Sequence, residues 1–255
     1  MSDYPALSQS TLQRLQDCPR LFQVEALELS GRWFQHDLRQ RLEWGRRFHR
    51  LMQQQALGIP IDQLQTGDRS LDQCLADFAA AQPQLFALPP ASWHRQTECR
   101  WQWPFQDFVL VAIFDRLELS DRAAQIHDWK THNRPQTLET LTATWQTQLY
   151  CWLVTERSGL PPEAVSMHYW FVRSQPQQPV TIHWNQQQHQ QTQQQLEKSL
   201  QEFKGWLQAY PETSLPQRPD RLQRCQTCEE RDRCWPNPDL TLAIASWDEI
   251  PVVEL

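Results

Sequence analysis

The chain has 255 residues, 40% of them hydrophobic, with 13 Trp and 10 Phe, enough to bury a large core in one domain or one domain with an elaboration. No stretch approaches the ~20 apolar residues of a membrane span, and MSDYPALSQS has neither the basic start nor the apolar run of an export signal, so a cytoplasmic protein without a membrane partner is expected. A net charge of -6 and a pI of about 5.7 exclude a surface that coats nucleic acid throughout, because that mode needs excess positive charge; any nucleic-acid site must be local.

In chain order, LSQSTLQRLQDC predicts a helix capped by Ser8 or Ser10, interrupted by Cys18 and Pro19. HDLRQRLEWGRRFHRLMQQQ predicts a longer helix with Leu38, Leu42, Leu51 and Met52 toward its buried side, and RSLDQCLADFAA a third. TECRWQW, FVLVAIFDRLEL and AAQIHDWK read as strands whose short polar links suit an antiparallel meander, and the apolar start of the second predicts burial on both faces. LETLTATWQTQLYCWLVTE reads as one helix, and SMHYWFVRS and PVTIHWN as two more strands. After the run QQQHQQTQQQ, Leu196, Leu200, Phe203 and Leu207 follow at steps of four, three and four, which predicts an amphipathic helix with a wet start. A Pro-rich connector from Pro211 to Pro219 leads into a Cys-bearing loop, and Asp239 to Leu255 form an apolar, acidic tail suited to docking on the chain's own core or on a partner.

Seven Cys without an export signal do not suggest disulfides. Cys74, Cys99 and Cys151 sit in apolar or alternating segments and read as small core residues, whereas Cys225, Cys228 and Cys234 crowd into CQTCEERDRC, which reads as a ligand loop.

The remaining chemistry gathers on two strands. In HDWK the period of two sends Asp128 and Lys130 to one face and Trp129 to the other. Asp115 ends the apolar run VLVAIF, so pairing of the two strands would bring Asp115 and Asp128 together at one end of the sheet. Two carboxylates beside a backbone carbonyl, that of Trp129, are hard oxygen ligands suited to magnesium or manganese, and a neighbouring Lys can orient a water or stabilise phosphate charge. Lys occurs only at 130, 198 and 204 among 24 cationic residues, so its use in this motif rather than Arg points to water handling. Each piece alone has a plainer reading: Asp-x-Lys recurs by chance, Asp115 can pair with Arg116, and His49 can be an ordinary helix residue.

Together the motifs resemble the RecB-like branch of the PD-(D/E)XK nucleases. LSQSTLQRLQDCPRLFQ is similar to that family's N-terminal signature, EWGRRFHRLM to its Gly-x-x-x-His helix at Gly45 and His49, AIFDR to the strand ending in Asp115, HDWKT to the Asp-x-Lys strand, and QTQLY to its Gln-x-x-x-Tyr helix. The resemblance implies an α/β, restriction-endonuclease-like core with a mixed central sheet flanked by helices, in a single nuclease domain over 1–255. It implies that His49, Asp115, Asp128 and the Trp129 carbonyl hold magnesium or manganese, that Lys130 serves the attacking water, and that Gln146 and Tyr150 position the strand being cut. Ala112 departs from the family, which often has Gly there. Cys18 with the C-x2-C-x5-C pattern at Cys225, Cys228 and Cys234 resembles AddB-type and CRISPR-associated RecB-like exonucleases, implying a [4Fe-4S] cluster that joins 1–30 to 211–238; four thiolates also suit structural zinc, but ligands at both ends of the chain favour the cluster.

The expected function is a metal-dependent DNA exonuclease on single-stranded or unwound ends, in repair, recombination or CRISPR-type processing. Six Arg between residues 32 and 50 (32, 39, 41, 46, 47 and 50) against Asp37 and Glu43 offer a local basic face for phosphates near His49, or a solvated face with internal ion pairs. None of the six Gly is followed by Lys-Ser or Lys-Thr, so any unwinding needs a separate helicase. A nonhydrolytic DNA-binding or scaffolding subunit and an RNA-processing nuclease are the rival readings.

Overall fold

A computed structural model describes residues 6–28, 36–132, 135–174, 178–218, 225–228 and 230–234, without the side chains of 36–42, 232 and 233. The side chains of Leu38 and Leu42, and the 239–255 tail, therefore lie outside the described residues. The helices are α1 (Gln9–Asp17), α2 (Pro19–Phe22), α3 (His36–Ala56), α4 (Arg69–Ala81), α5 (Pro83–Phe86), α6 (Leu138–Thr142), α7 (Trp145–Ser158), α8 (Gln186–Ala209) and α9 (Arg231–Cys234). The strands are β1 (Ala6–Ser8), β2 (His94–Phe105), β3 (Phe108–Leu119), β4 (Ala124–Lys130), β5 (Val165–Phe171) and β6 (Pro179–His183). Two compact units are distinguished, Met1–Gln13 with Trp33–Gln201 and Arg14–Arg32 with Glu202–Leu255.

In the larger unit, β3 organises the sheet. β2 runs antiparallel along one edge of β3 from Phe105↔Phe108 to His94↔Leu119. The other edge is shared: β1 lies parallel at residues 109–111, and β4 antiparallel at residues 116–119. β4 then pairs in parallel with β5, which pairs antiparallel with β6. The meander expectation thus holds for β2, β3 and β4 and fails beyond them. A parallel β4–β5 pair needs a long crossover, and α7 supplies it.

Local chemistry explains the element ends. Ser8 Oγ accepts from Thr11 N–H at 3.4 Å, which makes Ser8 rather than Ser10 the residue that starts α1. The segment expected as one helix from Leu138 divides into α6 and α7, because Thr144 leaves the helical conformation and its Oγ1 caps α7 through Thr147 N–H at 3.3 Å. Gly159, at φ +70, closes α7 in the left-handed conformation that favours glycine.

The core against α3, α4 and α5 centres on Phe78, fully buried, whose ring meets Phe48, Phe86, Trp129 and Trp170. Truncating such a ring to Ala costs about 3–5 kcal/mol. Arg116 is also fully buried: Nη1 donates to Leu85 O at 2.7 Å and the guanidinium lies 5.2 Å from the Trp129 ring centroid. Burial, with Arg95 nearby, lowers its pKa to about 10. Arg116 therefore braces the back of Trp129 and does not pair with Asp115. On β3, Leu110, Ala112 and Phe114 are buried as expected, but Ile113 is 50% exposed, so burial on both faces is incomplete. Of the three Cys read as core residues, only Cys151 is fully buried; Cys74 and Cys99 are half-buried.

In the smaller unit, Arg20 Nε donates to Leu215 O at 2.7 Å, Arg20 N–H to Pro216 O at 3.1 Å, and Leu215 N–H to Gln23 Oε1 at 2.7 Å. Phe22 packs edge-on against Phe203, 5.3 Å between centroids. These contacts join segments nearly 200 residues apart in sequence.

Candidate active site

Trp129 ties the site together through its backbone while its ring, 3% exposed, anchors in the core. The β3–β4 ladder ends at Arg116↔His127, so Trp129 N–H has no strand partner on β3 and donates instead to Asp115 Oδ2 at 2.7 Å. On the other side, Trp129 O lies 3.0 Å from His49 Nε2. His49 Nδ1 in turn stands 3.2 Å from Asp115 Oδ1 and 3.6 Å from Glu98 Oε1. Helix α3 can come this close to β4 because Gly45, one turn before His49, faces Thr131; a Cβ there would stand 2.8 Å from Thr131 Oγ1.

Beside this cluster Asp128 and Lys130 share a face. Lys130 Nζ sits 2.7 Å from Asp128 Oδ2 and donates to Gln146 Oε1 at 2.7 Å, while Gln146 Nε2 donates to Asp128 Oδ1 at 2.5 Å. Gln146 reaches both because it occupies the first turn of α7, and the Lys130 ammonium also lies 5.1 Å from the Tyr169 ring centroid. Tyr150, one turn further along α7, is only 4% exposed and packs edge-on against Phe114. Burial, with Asp128 and Asp115 nearby, pushes its phenol pKa up, against hydrogen bonds with the Ile113 backbone and Gln146.

The electrostatics are those of a site short of positive charge. Burial, then the neighbouring Asp128 carboxylate, raise the Asp115 pKa, against the opposing pull of His49 and Trp129 N–H. Burial alone would keep His49 neutral, but Asp115, Glu98 and Asp128 outweigh it and raise its pKa to about 10. A proton on His49 then stands between two carboxylates, in the position where a divalent cation would relieve the same repulsion. One ligand atom from each of His49, Glu98 and Asp115 lies within 4.8 Å of the others, and this mostly hard-oxygen set suits magnesium or manganese.

Glu98 is absent from the sequence reading. It faces Asp115 across β2 and β3, between the pairs Thr97↔Arg116 and Cys99↔Phe114, and it adopts φ +47. A left-handed non-Gly residue inside a strand costs about 1–3 kcal/mol and tends to persist at functional sites. In the one-dimensional pattern, TECRWQW shows only an alternating strand, so the turned carboxylate has no signature there. Of the six Arg noted near His49, Arg47 pairs with Asp68 at 3.2 Å, at the start of α4, as the plainer reading expects. Arg46 and Arg50 are exposed and line the cleft in front of His49, whereas Arg32 and the side chains of Arg39 and Arg41 lie outside the described residues.

A model of the PD-(D/E)XK nuclease superfamily matches residues 6–235. The chain belongs to that superfamily. The order of its elements, a mixed central sheet flanked by helices, is the restriction-endonuclease-like fold of the PD-(D/E)XK nucleases, and membership identifies a nuclease of the metal-dependent, phosphodiester-hydrolysing kind. No curated protein matches the sequence. Among the described residues no helix is long and apolar enough to cross a membrane.

Within the smaller unit, Cys18 precedes α2 as its N-terminal flanking residue, Cys225 O accepts from Cys228 N–H, and Cys234 ends α9. Burial, then Cys18 and Cys228, raise the Cys234 thiol pKa, with Cys225 adding to the effect and Arg20 opposing it. Cys18, Cys225 and Cys228 thus lie near enough to Cys234 to act on its thiol.

Proposed function

We propose that the chain is a magnesium- or manganese-dependent DNA nuclease of the RecB-like branch, cutting single-stranded or unwound ends as an exonuclease. The observation that carries this reading is the Trp129 backbone held between Asp115 and His49, next to the Asp128–Lys130–Gln146 triangle. His49, Glu98, Asp115, Asp128 and the Trp129 carbonyl would hold the cation. When bound, it supplies Lewis-acid charge for the phosphoryl oxygens and favours ionisation of water.

The chain's own residues do the rest. Asp128 and Gln146 hold the Lys130 ammonium, and the Tyr169 ring lies 5.1 Å from it, so Nζ is fixed beside the Asp128 carboxylate. From that point Lys130 can orient a water and hold or yield a proton at Nζ, which Arg, effectively never deprotonated, cannot do. Tyr150, only 4% exposed and hydrogen-bonded to Gln146, would act on the strand through that glutamine.

Cys18, Cys225, Cys228 and Cys234 are proposed to hold a [4Fe-4S] cluster that ties 1–30 to 211–238. The nearness of Cys18, Cys225 and Cys228 to Cys234 and the hydrogen bonds between Arg20 or Gln23 and residues 215–216 support this. The role is structural, because closing so long a loop restrains the unfolded chain.

The test is to incubate anaerobically purified protein with end-labelled single-stranded DNA, double-stranded DNA and RNA, with magnesium, manganese or chelator. Metal-dependent ladders on single-stranded DNA support the reading. Cleavage of RNA alone favours the RNA-processing alternative, and binding without cleavage a scaffolding subunit.

A further inference from the structure

The cleft in front of His49, about 490 Å³, is lined on one side by a single face of α3: Arg46, His49, Arg50 and Gln53, at the spacing that puts residues on one stripe of a helix. Arg46 and Arg50 are exposed, and neither pairs with a carboxylate among the described residues, although the protein is acidic overall. Their neighbour Arg47 turns the other way, to Asp68. Two guanidiniums without a carboxylate partner among the described residues thus line the cleft side of α3, while Arg47 between them is paired with Asp68.

We propose that Arg46 and Arg50 seat two consecutive phosphates to one side of the scissile one, so that the DNA strand runs along α3 past His49. This rests on the nuclease reading above and deepens it. The two side chains are one turn apart, about 6 Å along the helix axis, a spacing compatible with neighbouring phosphates of an extended single strand. Guanidinium forks match phosphate oxygens and carry no base preference, so the seat positions a strand whatever its sequence. Gln53, one turn beyond Arg50, extends the same stripe with an uncharged donor. Glu98 faces the same cleft and repels phosphate until a cation neutralises it, which couples entry of the strand to metal occupancy.

The experiment measures kcat and KM for a labelled single-stranded oligonucleotide across a salt series, for the parental protein, Arg46→Gln, Arg50→Gln, the double variant and Arg122→Gln. Arg122 is exposed in the turn between β3 and β4 and serves as control. Each cleft variant should raise KM by about tenfold with kcat unchanged and flatten the slope of log(kcat/KM) against log salt by about 0.7. The double variant should flatten it by about twice that, and Arg122→Gln not at all. Parental cleavage with the same salt slope in the cleft variants, or a loss confined to kcat, would overturn this seat alone. A parental protein that cuts no DNA in either metal would overturn the nuclease reading itself.

Discussion

Gly45 and Thr131 are in closer apposition than any side chain at position 45 would allow: a Cβ would stand 2.8 Å from Thr131 Oγ1 and 3.7 Å from its Cβ. The contact sets how near α3, carrying His49, approaches β4, carrying Asp128 and Lys130. Gly45→Ala gains about 1 kcal/mol of helix propensity but adds a clash of the kind that costs about 1–3 kcal/mol. The expected order of melting temperatures is therefore Gly45→Ala below parental, and Gly45→Ala with Thr131→Ala above the single variant. A single variant that melts higher than the parental protein would show that this contact does not limit the approach of α3.

Glu98 stores backbone strain opposite Asp115, and its carboxylate completes a group of three metal-type ligands with His49 and Asp115. Glu98→Gln keeps the shape and removes a hard anionic ligand. Manganese affinity, followed by calorimetry or by paramagnetic resonance of free ion, should fall by about tenfold or more. Unchanged affinity would make the turned carboxylate a passive neighbour of the site.

In metal-free protein, Asp115 and Glu98 overcome burial and raise the His49 pKa from 6.5 to about 10. The stability gained from the protonated ring is fully present below pH ~6.5, the unfolded value, and is lost as pH rises through the folded value. In chelator, the melting temperature should drop between neutral pH and pH ~10, and His49→Gln should drop less. Equal drops would place the pH dependence elsewhere.

Freshly purified protein should be brown with broad visible absorbance, and Cys18→Ser should bleach it as fully as Cys228→Ser, although the two lie at opposite ends of the sequence. Stoichiometric zinc in a colourless, active protein would contradict the iron-sulfur assignment.

Much of this was legible in the sequence where period and spacing carry the physics. The alternation in HDWK put Asp128 and Lys130 on one face, and the 2.7 Å contact between them follows from it. Asp128 comes near enough to Asp115 to act on its carboxyl because β3 and β4 pair, as their patterns suggested. Relations set by tertiary packing were not legible. The parallel β4–β5 pairing depends on where α7 crosses, the break at Thr144 depends on one capping hydroxyl, and Glu98 reaches His49 only through a left-handed backbone. Arg47 differs from Arg46 and Arg50 through Asp68, which caps another helix twenty-one residues on.

The acidic pair Asp115 and Asp128, beside His49 and Lys130, is proposed to cut DNA with a divalent cation. Cleavage of end-labelled single-stranded DNA in manganese, measured for parental protein, Asp115→Ala and Asp128→Ala with circular dichroism to check folding, tests it most directly. Both variants should stay folded and lose activity to the level seen with chelator, since each loses a hard oxygen ligand. Cleavage at the parental rate by both folded variants would contradict this active site.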